Sequence, residues 1–171
     1  MTECKIGVVG AGKMGEYHIG VLSEMRGVEL VGIVENNLER AKVISGRYNV
    51  ESYSDYRDIL PKVNVVVIAV PTSLHYSIGK EFLKAGVHTL LEKPCTDDLD
   101  QARELFDLAD KGNLTLHIGH VERFNGAVQE LFKIVKNPIY LECRRMSPFV
   151  DRMKDDGVVL DVMIHDIDIV L

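Results

Sequence analysis

Cysteine is scarce in this chain: Cys4, Cys95 and Cys143 are the only three in 171 residues, odd in number and far apart. No pair has metal-ligand spacing and no disulfide framework is expected. Three scattered thiols fit a reducing cytoplasm. Long apolar runs are also missing. The densest, Val65 to Val70, stops at Pro71, far short of the roughly 20 residues that cross a bilayer. Positive charge is outnumbered, with 20 Lys and Arg against 26 Asp and Glu and a formal charge of −6. That argues against a general nucleic-acid binder, which needs a basic face to displace counterions from phosphates. The start of the chain has no basic segment followed by an apolar stretch and a small-residue cleavage site, so no secretory leader is expected. Internal repeats and low-complexity segments are absent.

What is present is an alternation of short β-branched runs with helix-length amphipathic segments. Lys5–Val9, Glu29–Val34, Val65–Val70, Val87–Leu91 and Leu114–Ile118 read as strands. Helices are expected between them: one with an apolar stripe of Met14, Tyr17, His18, Val21, Leu22 and Met25, then Leu38–Tyr48 stopped by Asn49. Leu74–Ala85 follows, ended by Gly86, and then a helix capped by Thr96 and ended by Gly112. Strands that are apolar throughout suit a parallel sheet covered on both faces. The fold class is therefore α/β, a doubly wound parallel sheet. It is followed by a helix near Asn125–Val135, a strand at Ile139–Met146, a polar loop at 147–156 and a helix from Gly157 to Leu171. This tail reads as a linking helix and the cut-off start of a second domain, so the expected division is 1–120 and 121–171.

Gly10-Ala11-Gly12-Lys13-Met14-Gly15 follows a strand and opens a helix. In that context G-x-G-x-x-G is a dinucleotide fingerprint. Gly10 allows the tight turn, Gly12 lets backbone approach a pyrophosphate, and Gly15 lets helix and strand pack closely. The helix N-terminus, at Lys13 and Met14, offers amides and a positive dipole end to phosphates. Glu35 lies 20 residues after Gly15, at the end of the second strand. A carboxylate there can accept from ribose hydroxyls and would repel a 2′-phosphate, and Asn36-Asn37 supplies no compensating arginine. NAD is therefore expected over NADP. The alternative is a glycine-rich turn with a surface glutamate.

Pro71, Thr72 and His75 follow a strand's C-terminal end, along the crevice where open α/β sheets bind ligands. Thr72 either bonds the cofactor or, with Ser73, caps the next helix. Glu92-Lys93-Pro94 ends a strand on the same edge and can aim an ammonium group into the crevice; a surface lysine is the bland alternative. Asp161 and His165 are spaced i, i+4 on one helix face, and Asp168 continues it. A helix-surface pair, or zinc ligation without a completing His or Cys cluster, are the competing readings.

The glycine loop, Glu92-Lys93-Pro94, and Asp161 with His165 in Leu160–Asp168, in that order, resemble the glucose-fructose oxidoreductase/inositol dehydrogenase (Gfo/Idh/MocA) family. Gly119–Asn125, Arg144–Phe149 and the approach Gly157–Asp161 look like its UDP-N-acetylglucosamine 3-dehydrogenase members. The resemblance implies a Rossmann domain followed by an α+β domain whose open sheet often builds homo-oligomer contacts. It implies an NAD- or NADP-dependent oxidoreductase acting on a sugar or nucleotide-sugar hydroxyl. Lys93 would be the catalytic-site lysine near the nicotinamide, with a cis Lys93–Pro94 bond, and Asp161 and His165 would be substrate-site residues. His165 would be the base, Lys93 would favour the developing alkoxide, and Asp161 would orient substrate or imidazole. At about half the family's usual length, the chain would lack the sheet that walls the pocket. A non-catalytic or truncated dinucleotide-binding sensor or scaffold is the rival expectation.

Overall fold

A computed structural model describes residues 4–146 and 157–171. The expected loop at 147–156 lies outside the described residues. The chain divides into two compact units, residues 1–118 and 119–171, and each is described by itself.

The first unit is built on a parallel sheet ordered β3-β2-β1-β4-β5-β6. The strands are β1 (Cys4–Val9), β2 (Val28–Val34), β3 (Ser52–Tyr53), β4 (Val65–Ile68), β5 (His88–Leu91) and β6 (Leu116–Ile118). Helices α1 (Lys13–Glu24), α2 (Leu38–Tyr48), α3 (His75–Lys84) and α4 (Leu99–Gly112) are the crossovers. Successive strand residues point to opposite faces, so the apolar runs feed two cores. Val8, Ile33 and Val67 pack with Ile19, Leu22 and Ile44 of α1 and α2. Val9, Val34, Val66 and Ile68 pack with Ile78, Phe82 and Leu105 of α3 and α4. The order reverses between β1 and β4, which share a register from Ile6↔Val65 to Val9↔Ile68. That switch point opens the crevice outside the strands' C-terminal ends.

Several expectations are corrected. The stripe proposed for α1 faces largely outward: Tyr17, Val21 and Met25 are exposed, and the buried positions are Gly15, Ile19 and Leu22. A glycine on the inner face is invisible to a hydrophobicity count. Thr96 does not cap α4; the Asp98 side chain accepts from Gln101 N at 2.9 Å. Asn113, at φ 51°, ends that helix one residue past Gly112. Strand β3 was not expected, because two residues carry no periodic pattern.

In the second unit Val121–Phe124 is a 3₁₀ turn and α5 spans Gly126–Ile134, capped by Asn125, whose side chain accepts from Ala127 N at 3.0 Å. The strand expected at Ile139–Met146 does not form. The segment has no strand pairing among the described residues, and Ile139, Tyr140 and Met146 are exposed. A β pattern without a neighbouring strand leaves its amides and carbonyls to water. The last helix begins with a π-helical stretch, Val159–Met163, and continues as α6 (Ile164–Val170).

Candidate dinucleotide site

The sheet's own ladder sets the site. Gly10 N donates to Val34 O (2.9 Å), Glu35 N to Tyr53 O (3.0 Å), Ala69 N to Val9 O (2.8 Å) and Glu92 N to Ile68 O (2.9 Å). These bonds put the glycine turn, Glu35, the β4 exit and Glu92 side by side on one edge. Gly10 sits at φ +91°, and a Cβ there would meet Ala69 O at 2.4 Å. At Gly15 a Cβ would fall 1.8 Å from Gly10 O, so helix and turn touch only because that side chain is absent. Gly12 is different. A Cβ there would meet nothing within 4 Å, so protein packing does not demand this glycine. Open space above a helix N-terminus with no side-chain cap is what a phosphate needs to approach the backbone. The residues therefore fit a dinucleotide.

Gly10, Gly12, Glu35, Pro71 and Leu74 line a cleft of about 620 Å³. The Glu35 carboxylate accepts from Ala11 N at 3.2 Å and from Asn37 N at 2.9 Å. It fastens the glycine loop to β2 and retains acceptor capacity for a hydroxyl. Arg40, from the first turn of α2, donates to Ala11 O and, at 3.1 Å, to Glu16, which also pairs with Arg47. Arg40 is thereby tied to the glycine loop. The far rim carries Tyr56, Arg57 and Glu81, none of which the sequence singled out. Arg57 Nη2 donates to Glu81 at 3.2 Å and its guanidinium stands 4.7 Å from the Tyr56 ring centroid. Burial, and then the Glu81 carboxylate, raise the Tyr56 phenol above its ordinary range.

The other expected cofactor residues lie around this cleft rather than in its lining. Lys13 and Met14 open α1, and Lys13 lines a second hollow of about 550 Å³ with Tyr17 and Tyr48. Thr72 is buried in a 3₁₀ turn that leads into α3, whose N-cap position is Leu74. His75 is only 1% exposed; its Nδ1 lies 2.8 Å from Pro94 O and its Nε2 2.9 Å from Val70 O, and the nitrogen that carries the proton donates. Glu92 is also buried and accepts from His18 Nε2 at 2.7 Å. The Lys93–Pro94 bond is cis, and Lys93 stands between these two anchored neighbours.

In the second unit Asp161 lies in the π-helical stretch and His165 in α6, both half-buried. π-helical winding alters the regular i, i+4 alignment assumed from sequence. Arg123 donates to Asp168 through Nε (2.8 Å) and Nη2 (2.5 Å). Arg145 Nη2 donates to Asp166 at 3.0 Å. Among the described residues no group of His, Cys, Asp and Glu forms a metal cluster.

The family model described as an oxidoreductase family with an NAD-binding Rossmann fold matches residues 4–120. The chain belongs to the Gfo/Idh/MocA oxidoreductase family. A curated relative, UDP-N-acetylglucosamine 3-dehydrogenase of Acidithiobacillus ferrooxidans, is 35% identical over 172 residues, covering 100% of this chain and 54% of that protein. Its crystal structure matches with a TM-score of 0.90 at 35% identity over 98% of this chain and 55% of the other. Inositol 2-dehydrogenase of an Arthrobacter species is 32% identical over 143 residues, 80% of this chain and 42% of that protein. At 22% identity, scyllo-inositol dehydrogenase of Lactobacillus casei, solved with NAD(H) and scyllo-inositol, shares the fold at a TM-score of 0.73, over 78% of this chain and 41% of that one. The chain thus spans about half the length of the curated relatives it matches. No helix among the described residues is long and apolar enough to cross a membrane.

Proposed function

We propose that the chain binds NAD, in preference to NADP, and serves hydride transfer at a hydroxyl-bearing carbon of a sugar or nucleotide sugar. The observation that carries this is the open space over Gly12 at an uncapped helix start, beside the Glu35 carboxylate at the sheet's switch point. Gly10, Gly12 and Gly15 with the amides of Lys13 and Met14 would hold the pyrophosphate, and Glu35 the adenosine ribose. Pro71, Thr72 and Glu92 shape the walls nearby, and Lys93 is assigned to the nicotinamide end. When bound, the nicotinamide supplies the hydride acceptor or donor.

The chain's own residues serve the proton side. Lys93 would stabilise negative charge growing on the substrate oxygen. His165 would take the hydroxyl proton, as a group that ordinarily titrates near neutral pH. Asp161 would orient the hydroxyl or the imidazole. UDP-N-acetylglucosamine oxidised at its 3-hydroxyl is the substrate we favour, because the relative with that name covers this chain from end to end. We place the protein in the cytoplasm, where thiols such as Cys4, Cys95 and Cys143 stay unpaired, and assign it a homo-oligomeric state.

Absorbance of reduced nicotinamide, followed with NAD and a panel of nucleotide sugars, tests the reading. Turnover is expected with UDP-N-acetylglucosamine, and loss of it in both Lys93→Ala and His165→Ala. Tight NADH binding without turnover on any sugar would instead select a non-catalytic dinucleotide binder. Full activity in both variants would overturn the roles assigned to them.

A further inference from the structure

The two residues on either side of Lys93 are each gripped by a histidine from a different helix. Before it, the buried Glu92 carboxylate accepts from His18 Nε2 at 2.7 Å. His18 stands one helical turn after Gly15, on the helix that the glycine loop opens. After it, the Pro94 carbonyl lies 2.8 Å from His75 Nδ1, while His75 Nε2 lies 2.9 Å from Val70 O; the nitrogen that carries the proton donates. Val70 itself lines the dinucleotide cleft. The sequence separations are 74 residues for His18 and Glu92 and 19 for His75 and Pro94, so neither contact is a local turn.

Each contact has a physical reason to be rigid. A carboxylate with only 6% exposure is costly without a donor, and His18 supplies one. His75 is buried and wedges one planar ring between the carbonyls of two strand-exit loops, so moving either loop disturbs a close contact of a buried group. A long lysine side chain gains a defined reach only if its backbone is fixed. Displacement of a reacting group by about 1 Å costs on the order of 100-fold in rate.

We propose that His18 and His75 are positioning residues that brace Glu92-Lys93-Pro94, setting where the Lys93 ammonium meets the nicotinamide half of the cofactor. The brace also ties that end to the phosphate end, because His18 rides on α1 and His75 holds the Val70 wall. This inference rests on the assignment of Lys93 to the nicotinamide end.

The test compares affinities for NADH and for ADP-ribose, which lacks the nicotinamide ring, by calorimetry on the 171-residue chain, with circular dichroism confirming folding. The ratio of the two affinities is insensitive to general damage at the glycine loop, which both ligands share. His18→Ala is expected to weaken NADH about tenfold and leave ADP-ribose within about twofold. His18→Gln, which keeps an N–H donor for Glu92, is expected to recover most of the NADH affinity. His75→Gln, which cannot fill the space between both carbonyls with a planar ring, is expected to shift the ratio in the same direction as His18→Ala. If His75→Gln fails to fold, the His18 pair decides. Lys93→Ala separates the two levels of argument. An unchanged ratio there overturns the assignment of Lys93, and with it the brace. A lowered ratio in Lys93→Ala with an unchanged ratio in His18→Ala overturns the brace alone.

Discussion

Residues 4–118 bury 22 apolar side chains in two cores against the sheet, whereas the described part of 119–171 buries none. The second unit relies instead on charged pairs, Arg123 with Asp168 and Arg145 with Asp166, and leaves Phe132, Ile139 and Tyr140 exposed. Ion pairs add little beside buried apolar area, which dominates folding. The contrast separates the two halves of the proposed chemistry. Cofactor residues stand on a scaffold with its own core; Asp161 and His165 stand on helices that depend on charge and on half-buried surface.

The largest expected effect contrasts the units directly. Phe82 is fully buried between α3 and the sheet, so Phe82→Ala should cost about 3–5 kcal/mol in urea unfolding. Leu131→Ala, on the half-exposed side of α5, should cost under about 1 kcal/mol. Equal losses would erase the distinction. Next come the glycines. Gly10→Ala sets a Cβ against the Ala69 carbonyl at φ +91° and should cost about 1–3 kcal/mol. Gly12→Ala, with open space around it, should change stability by less than about 0.5 kcal/mol. Thermal unfolding without cofactor checks both.

A smaller, pH-dependent effect belongs to the second unit. The Arg123 guanidinium holds the Asp168 carboxyl below its usual range, against the opposing pull of burial, and His120 acts in the same direction as Arg123. The folded value lies below the unfolded one. The stabilisation is therefore present above the ordinary carboxylate value of about 4 and is lost as pH falls through the folded value. Hydrogen exchange of the α6 amides should quicken beyond its intrinsic pH trend on acidification, and Asp168→Asn should flatten that response. A wild-type response as flat as the variant's would remove the ion pair from the account. The smallest effect is chemical. Burial pushes the Cys95 thiol up to about 11, whereas Cys143 is exposed. Iodoacetamide near pH 8 should modify Cys143 well before Cys95, read by peptide mass spectrometry.

How much of this was legible in the sequence depended on range. Local signals served well: α2 runs Leu38–Tyr48 and stops at Asn49 in the left-handed conformation, and the glycine loop follows β1 directly. The inner face of α1 was misread because it runs through Gly15, Ile19 and Leu22 and its glycine leaves no apolar mark, while Tyr17, Val21 and Met25 face out. The Ile139–Met146 pattern was misread because alternation names a strand without supplying its partner. The cleft was legible in Gly10, Gly12 and Glu35, which line it beside strand ends. The roles of Arg40, His18 and His75 were not, because they arise from contacts between helices and loops that no spacing encodes. Tyr56 and Arg57 reach the cleft through a connection with only a two-residue strand to announce it, and Glu81 reaches it from α3.

The account turns on whether the turn after β1 holds a diphosphate. Calorimetric titration of the wild-type chain and Gly12→Ala with NADH and NADPH measures this most directly. Saturable NADH binding is expected in the wild type, weaker binding of NADPH, and a loss of roughly tenfold or more in the variant at unchanged stability. Absence of binding to the wild type, tighter binding of NADPH, or an NADH affinity untouched by Gly12→Ala would contradict it.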